Sequence, residues 1–100
     1  MKPPRPLKPS LIEDRRRIDA LDRALVRLLA RRTRISCRLA RLKASHGKVA
    51  RDPARERVIL AGRAAWAEAR GLDPRRAAAV FRAVLALARA AQARSLRRQG

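Results

Sequence analysis

Residues 11–43 read LIEDRRRIDALDRALVRLLARRTRISCRLARLK, and this stretch decides the fold of the chain. It contains neither Pro nor Gly, and its apolar side chains recur mostly at alternating steps of three and four residues. Such spacing is typical of an amphipathic helix that packs along another helix. We call this set the apolar seam; its members are Leu11, Ile18, Leu21, Leu25, Leu28, Ile35, Leu39 and Leu42. The stretch therefore predicts one long helix with a single apolar face.

The predicted start and length of this helix bear on how the chain assembles. Ser10 and Glu13 have the S-x-x-E spacing of a capping box, so we expect the helix to begin at about Leu11 and to continue until Gly47. A helix of about 35 residues is ~52 Å long, whereas a compact domain of this size is only ~35 Å wide. The helix would overhang such a domain and expose its seam. We therefore predict an intertwined homodimer, in which a second copy of the chain covers the seam.

Two Asp-Pro pairs indicate where the following helices begin. Asp52-Pro53 and Asp73-Pro74 each place a capping carboxylate before a proline at the first helical position. Gly71 is expected to end the second helix, and the third should run to near Arg97. The chain is thus predicted to be all-α, with three helices of which the first is the longest.

The chain ends are predicted to lie outside the folded domain. Residues 1–9 include four prolines, which block both helix and sheet, so they are expected to form a flexible, basic tail. Residues 97–100 form a second short basic tail. The predicted domain therefore spans residues 10–96.

The composition limits the classes of function. With 27 Lys and Arg against 8 Asp and Glu, the formal net charge is +19, which attracts small anions, nucleic acids and acidic membranes alike. The single cysteine, Cys37, and single histidine, His46, offer neither an intrachain disulfide nor a Cys/His zinc cluster. Neither a secretory signal nor an apolar run of membrane-spanning length is recognisable. We therefore expect a cytoplasmic protein without metal, cofactor or membrane association.

One position of the seam carries a charge. The heptad spacing requires a residue at position 32, and the sequence has Arg32 there. A cation within an apolar stripe is unfavourable unless it meets a counter-charge or a ligand. Lys43 follows three helical turns later on nearly the same face. Together the two cations predict a site for an anion.

Two further groups have polar residues at helical spacing. Asp52, Arg55 and Glu56 share one face of the first turn of the second helix, and Gln92 ends an apolar stripe of the third helix that includes Ala88. Taken alone, the first group is an ordinary cap with a local ion pair, and the glutamine is an ordinary boundary residue.

Taken in order, these residues resemble the AroQ-type, all-helical chorismate mutases. The resemblance covers residues 11–96 and rests on an ordered set of motifs, no one of which is specific. They are R-x-x-I-D-A-L-D at 15–22, L-L-A-R-R at 28–32, R-D-x-x-R-E at 51–56, G-L-D at 71–73 and V-F at 80–81.

The resemblance implies an isomerase that converts chorismate to prephenate by a Claisen rearrangement, in the shikimate pathway toward phenylalanine and tyrosine. An intramolecular, pericyclic reaction needs no nucleophile, metal or cofactor. It needs a dianion held in its reactive conformation and stabilisation of the negative charge that grows on the ether oxygen. The lack of a recognisable catalytic Ser–His or Cys–His pair is consistent with this chemistry.

The family also implies a role for each candidate residue. Arg15 and Arg32 would each bind a substrate carboxylate, and Lys43 and Gln92 would donate hydrogen bonds to the ether oxygen. Glu56, helped by the backbone of Asp52, would accept a hydrogen bond from the ring hydroxyl, with Arg55 supporting this cluster. Arg15 and Arg32 lie ~25 Å apart along one helix, so the resemblance implies that Arg15 enters the pocket of the partner subunit.

The sequence departs from the family in helix three. Ala88 stands where the family often has a hydroxyl side chain, so one substrate contact is missing or passes to water or backbone. Arg89 stands where an apolar pocket residue is expected; it either replaces the lost contact as a cation or faces solvent, and we expect solvent. These changes affect affinity and rate rather than the type of reaction.

Three alternatives remain open from the sequence. The homologous isochorismate-pyruvate lyase shares this fold, and Trp66-Ala67-Glu68 with Gly71-Leu72-Asp73 also resembles that enzyme. A basic helical nucleic-acid binder would explain the charge, but it lacks a reading motif and aromatic stacking surface, so no specific nucleic-acid partner is expected. The third alternative is a non-catalytic relative with the same fold.

Overall fold

The computed structural model describes residues 3–6, 8–47 and 52–99. Within these residues the chain forms three helices and no strand: α1 spans Pro9–Ser45, α2 spans Pro53–Ala69 and α3 spans Pro74–Gln99. The predicted all-α class and the long first helix are therefore confirmed. Residues 1, 2 and 7 of the predicted N-terminal tail, Arg51 of the R-D-x-x-R-E motif and Gly100 lie outside the described residues.

Helix α1 begins two residues earlier than predicted. The Lys8 carbonyl accepts hydrogen bonds from the amides of Leu11 and Ile12, at 3.0 and 3.2 Å, so Pro9 is the first helical residue and Ser10 already lies within the helix. The capping-box prediction at Ser10 is wrong because proline, whose φ is fixed near helical values and which lacks an N–H, suits the first helical position better. At the other end, Gly47 has a φ of 69° and its amide donates to the Ala44 carbonyl.

The predicted ends of α2 and the predicted start of α3 are confirmed by their capping bonds. An Asp52 carboxylate oxygen accepts from the Arg55 amide at 3.0 Å, and an Asp73 carboxylate oxygen accepts from the amides of the second and third residues of α3. Gly71, with a φ of 80°, ends α2 in a Schellman motif, in which the Gly71 and Leu72 amides donate to the carbonyls of Glu68 and Ala67. Helix α3 continues two residues past Arg97.

The chain divides into two units, residues 1–31 and residues 32–100. The second unit holds the end of α1 with α2 and α3, and its buried side chains are mostly alanines, which let helices approach closely. They are Ala40, Ala67, Ala78, Leu85 and Ala88, each at most 9% exposed.

The first unit contains a single helical stretch, so its part of the apolar seam has little to pack against within the unit. The seam residues there are 41–65% exposed: Leu11, Ile18, Leu21, Leu25 and Leu28. In the second unit the seam continues with Ile35, Leu39 and Leu42, which are 43–51% exposed. Within the described residues, no helix has the length and apolar character needed to cross a membrane.

Candidate functional site

All three helices of the second unit line one pocket with a volume of about 210 Å³. On each helix the lining residues follow the i, i+3, i+4, i+7 pattern of a single helix face, and that face is turned to the pocket. Helix α1 contributes Arg32, Ser36, Leu39, Ala40 and Lys43; the start of α2, with its cap, contributes Asp52, Arg55, Glu56, Ile59 and Arg63; and α3 contributes Leu85, Ala88, Arg89 and Gln92.

The pocket is strongly cationic. Among the described residues, five Lys or Arg side chains line it against two carboxylates, for a formal excess of three positive charges. Arginine stays protonated at any physiological pH, and its guanidinium fork matches a carboxylate in two parallel hydrogen bonds. Among the described residues, no group of three or more His, Cys, Asp or Glu side chains is arranged to hold a metal. The lining is therefore suited to a small organic anion with more than one negative group.

Most of the site residues predicted from sequence come together here. Seven of the eight line the pocket: Arg32, Lys43, Asp52, Arg55, Glu56, Ala88 and Gln92. Arg32 and Lys43 are half-buried, so the charge in the seam does not point into open water. Arg15 belongs to the first unit, and its side chain is exposed.

The first turn of α2 is fixed by its own cap. The Asp52 side chain accepts from the Arg55 amide, and the Asp52 carbonyl accepts from the Glu56 amide at 3.0 Å. The same residue that starts the helix thus sets the positions of the two charged residues after it. This local geometry explains why the D-x-x-R-E spacing delivers three polar groups to one pocket.

Arg89 was expected to face solvent, but it lies in the pocket. One of its guanidinium nitrogens donates to a Glu56 carboxylate oxygen at 2.8 Å, and the two side chains are only 37% and 21% exposed. A sequence signal for this position existed, because Arg89 is four residues after Leu85 and three before Gln92 on the same helical stripe. The extra cation therefore holds the predicted acceptor, Glu56, in place.

Gln92 is positioned by a backbone group of the facing helix. Its side-chain nitrogen donates to the Ser36 carbonyl at 3.2 Å, a contact that joins α3 to α1 across the pocket wall. Ser36 was not a candidate from sequence, although it lies between Arg32 and Lys43 on the same face of α1. An amide nitrogen has two N–H groups, so this bond orients Gln92 and leaves a second donor for a ligand.

Comparison with known proteins identifies the family of this pocket-forming fold. No curated protein and no solved structure gives a significant match to the chain. Residues 14–93 match the family model described as chorismate mutase type II. The match covers 80 of the 100 residues and includes every residue that lines the pocket.

Proposed function

The chain belongs to the chorismate mutase type II family, and we propose that it rearranges chorismate to prephenate in its cationic pocket. Members of the family are isomerases, and the enzyme class of this chain follows from its membership. The observation that carries the proposal is the pocket lining, with five cations against two carboxylates. Chorismate has two carboxylates, so its negative charge complements the excess positive charge of the pocket.

The reaction needs what such a pocket supplies. Within one molecule, the C–O bond of the enolpyruvyl ether breaks while a new C–C bond forms, and negative charge grows on the ether oxygen. Fixed donors aimed at that oxygen stabilise the transition state more than the ground state, and holding both ends of the flexible ether removes much of the entropic barrier. No step in this sequence requires a covalent enzyme intermediate.

The residues of α1 and α3 supply the donors in this proposal. Arg32 binds one substrate carboxylate through its guanidinium fork. Lys43 and Gln92 donate hydrogen bonds to the ether oxygen. The Gln92–Ser36 hydrogen bond of 3.2 Å supports this assignment, because it fixes the direction of the amide before substrate arrives and lowers the ordering that binding requires.

The start of α2 supplies the acceptor. Glu56 accepts a hydrogen bond from the ring hydroxyl, with the backbone of Asp52 beside it and Arg55 supporting the cluster. Arg89 acts as a positioning residue, since its 2.8 Å contact with Glu56 directs that carboxylate.

We also propose that the enzyme works as an intertwined homodimer, with Arg15 of each subunit binding the second carboxylate in the pocket of the other. The exposed seam supports this arrangement, because eight large apolar side chains on one helix face are 41–65% exposed. Surfaces of this kind mark sites of association between proteins. The seam of a second α1 is equally apolar, so it can pack against these side chains and bury them.

The proposal also includes the extent of the domain, the cell compartment and the pathway. We take residues 10–96 as the catalytic domain and residues 1–9 and 97–100 as basic extensions of it, of which Pro9 and residues 97–99 are helical. The enzyme acts in the cytoplasm, in the shikimate pathway toward phenylalanine and tyrosine. Its one cysteine, Cys37, is a free thiol, which suits a reducing compartment.

A direct assay separates this function from its nearest alternative. Purified protein is supplied with chorismate and, separately, with isochorismate, and the products are identified by chromatography. We expect prephenate from chorismate, with a rate enhancement of at least ~10⁶ over the uncatalysed reaction. Salicylate and pyruvate from isochorismate, with no prephenate from chorismate, would instead assign the chain to the lyase. No product from either substrate would indicate a non-catalytic relative.

Restoring a hydroxyl at position 88 should improve the enzyme. Ala88 is 5% exposed and lines the pocket, so Ala88→Ser places a donor where a substrate carboxylate can accept it. We expect kcat/KM to rise about tenfold, mostly through a lower KM, as one hydrogen bond to a charged group allows. Steady-state kinetics measure this, and Ala90→Ser, at an exposed position of the same helix, is the control. An unchanged KM in a folded Ala88→Ser variant would contradict this role for position 88.

A further inference from the structure

A second groove lies between α1 and α3 and is separate from the substrate pocket. Its volume is about 540 Å³, and four arginines line it: Arg34 and Arg41 from α1, and Arg94 and Arg98 from α3. Among the described residues, neither a residue of α2 nor a carboxylate lines this groove. The groove therefore has a stronger excess of positive charge than the pocket that the proposed reaction uses.

A hydrogen bond joins the two helices that form the groove. A guanidinium nitrogen of Arg41 donates to the Ser95 hydroxyl at 2.9 Å, and both side chains are partly buried. The bond fixes the position of one guanidinium while other N–H groups of Arg41 stay available, since arginine has five donors. Cys37 lies in the same groove, as a partly exposed free thiol.

Within the part of the chain that the structure describes, none of the four arginines forms an ion pair with a carboxylate. The ion pairs between described residues use other arginines, namely Arg17, Arg76 and Arg89. Four permanent positive charges around one groove repel each other, and a bound anion relieves that repulsion. Guanidinium groups also match phosphate and carboxylate oxygens in geometry.

The groove and the proposed dimer interface use different faces of α1. At 3.6 residues per turn, Arg34, Cys37 and Arg41 lie about 150° around the helix from the apolar seam. A second subunit packed along the seam therefore contacts a different side of α1 from the one that lines the groove. The groove also opens away from the helix face that carries Arg32 and Lys43.

We propose that this groove is a second anion site, which binds a small organic anion carrying several phosphate or carboxylate charges. A nucleic acid is a poorer match, because no aromatic side chain lines the groove to stack with a base. The site is independent of the proposed mutase reaction, since none of its lining residues belongs to the substrate pocket.

Cys37 provides the test, because it is the only cysteine of the chain and lies in the groove. The rate of alkylation by iodoacetamide, which is uncharged, is measured on the purified full chain with and without sodium pyrophosphate at constant ionic strength. About 1 mM pyrophosphate should slow alkylation about fivefold, as expected for a Kd of roughly 0.25 mM. The double variant Arg94→Gln/Arg98→Gln should lose this protection.

A charge-matched control distinguishes the site from general attraction to a basic protein. Arg57→Gln/Arg97→Gln removes the same two charges from exposed positions that do not line the groove, and it should keep the full protection. Equal loss in both double variants would overturn the proposal, as would an unprotected Cys37 in the unaltered protein. Protection by a short single-stranded DNA but not by pyrophosphate would assign the groove to nucleic acid instead. None of these readings depends on turnover of chorismate.

Discussion

Replacing Lys43 with alanine is expected to lower kcat by about 10²–10³, the usual effect of removing one donor from a developing oxyanion. Lys43 is half-buried in the pocket with Arg32 and Gln92. In the proposed mechanism its ammonium group faces the ether oxygen, where charge appears only as the reaction proceeds. The loss should therefore fall mainly on kcat, with a smaller change in KM.

The fold should survive this substitution. Lys43 lies in the last turn of α1, where a cation interacts favourably with the helix dipole, so its removal should cost less than ~1 kcal/mol of unfolding free energy. Kinetics of chorismate consumption and thermal unfolding by circular dichroism measure the two effects separately. Lys8→Ala, which removes the same charge from an exposed position before α1, is the matched control. A folded Lys43→Ala variant with kcat within a factor of three of the unaltered protein would exclude Lys43 from the reaction.

The helix ends illustrate what the sequence can determine. Capping is a contact between near neighbours, so Asp52, Asp73 and Gly71 predict the ends of α2 and the start of α3 without knowledge of the fold. The start of α1 was missed for a local reason too, because Pro9 and Ser10 compete for the same turn and the fixed φ of proline prevails.

The site was predictable where its residues share one helix. Helical spacing alone places Arg32 and Lys43 on one face of α1, and it places Asp52, Arg55 and Glu56 on one turn of α2. The pairing of Arg89 with Glu56 spans 33 residues of sequence, and that of Gln92 with Ser36 spans 56. Such contacts depend on how the helices pack, and no periodicity within a single helix encodes them.

Mixing an Arg15→Ala chain with an Arg32→Ala chain is expected to restore activity that neither chain has alone. In the proposed dimer each pocket takes Arg32 from its own subunit and Arg15 from the partner. A mixed dimer then has one pocket with both arginines and one with neither. If subunits exchange at random, half of the dimers are mixed, so about a quarter of the pockets become active.

The reciprocal mixture makes this test specific. When a chain carrying both Arg15→Ala and Arg32→Ala is mixed equally with the unaltered chain, shared pockets leave only the unaltered homodimers active, which is about a quarter of all pockets. Pockets complete within one chain would leave about half active in this mixture and none in the first. Activity per subunit after denaturation and joint refolding measures both values. The crossover is refuted if the first mixture has no active pockets and the reciprocal mixture has about half of its pockets active. Each pocket must then draw both arginines from a single chain.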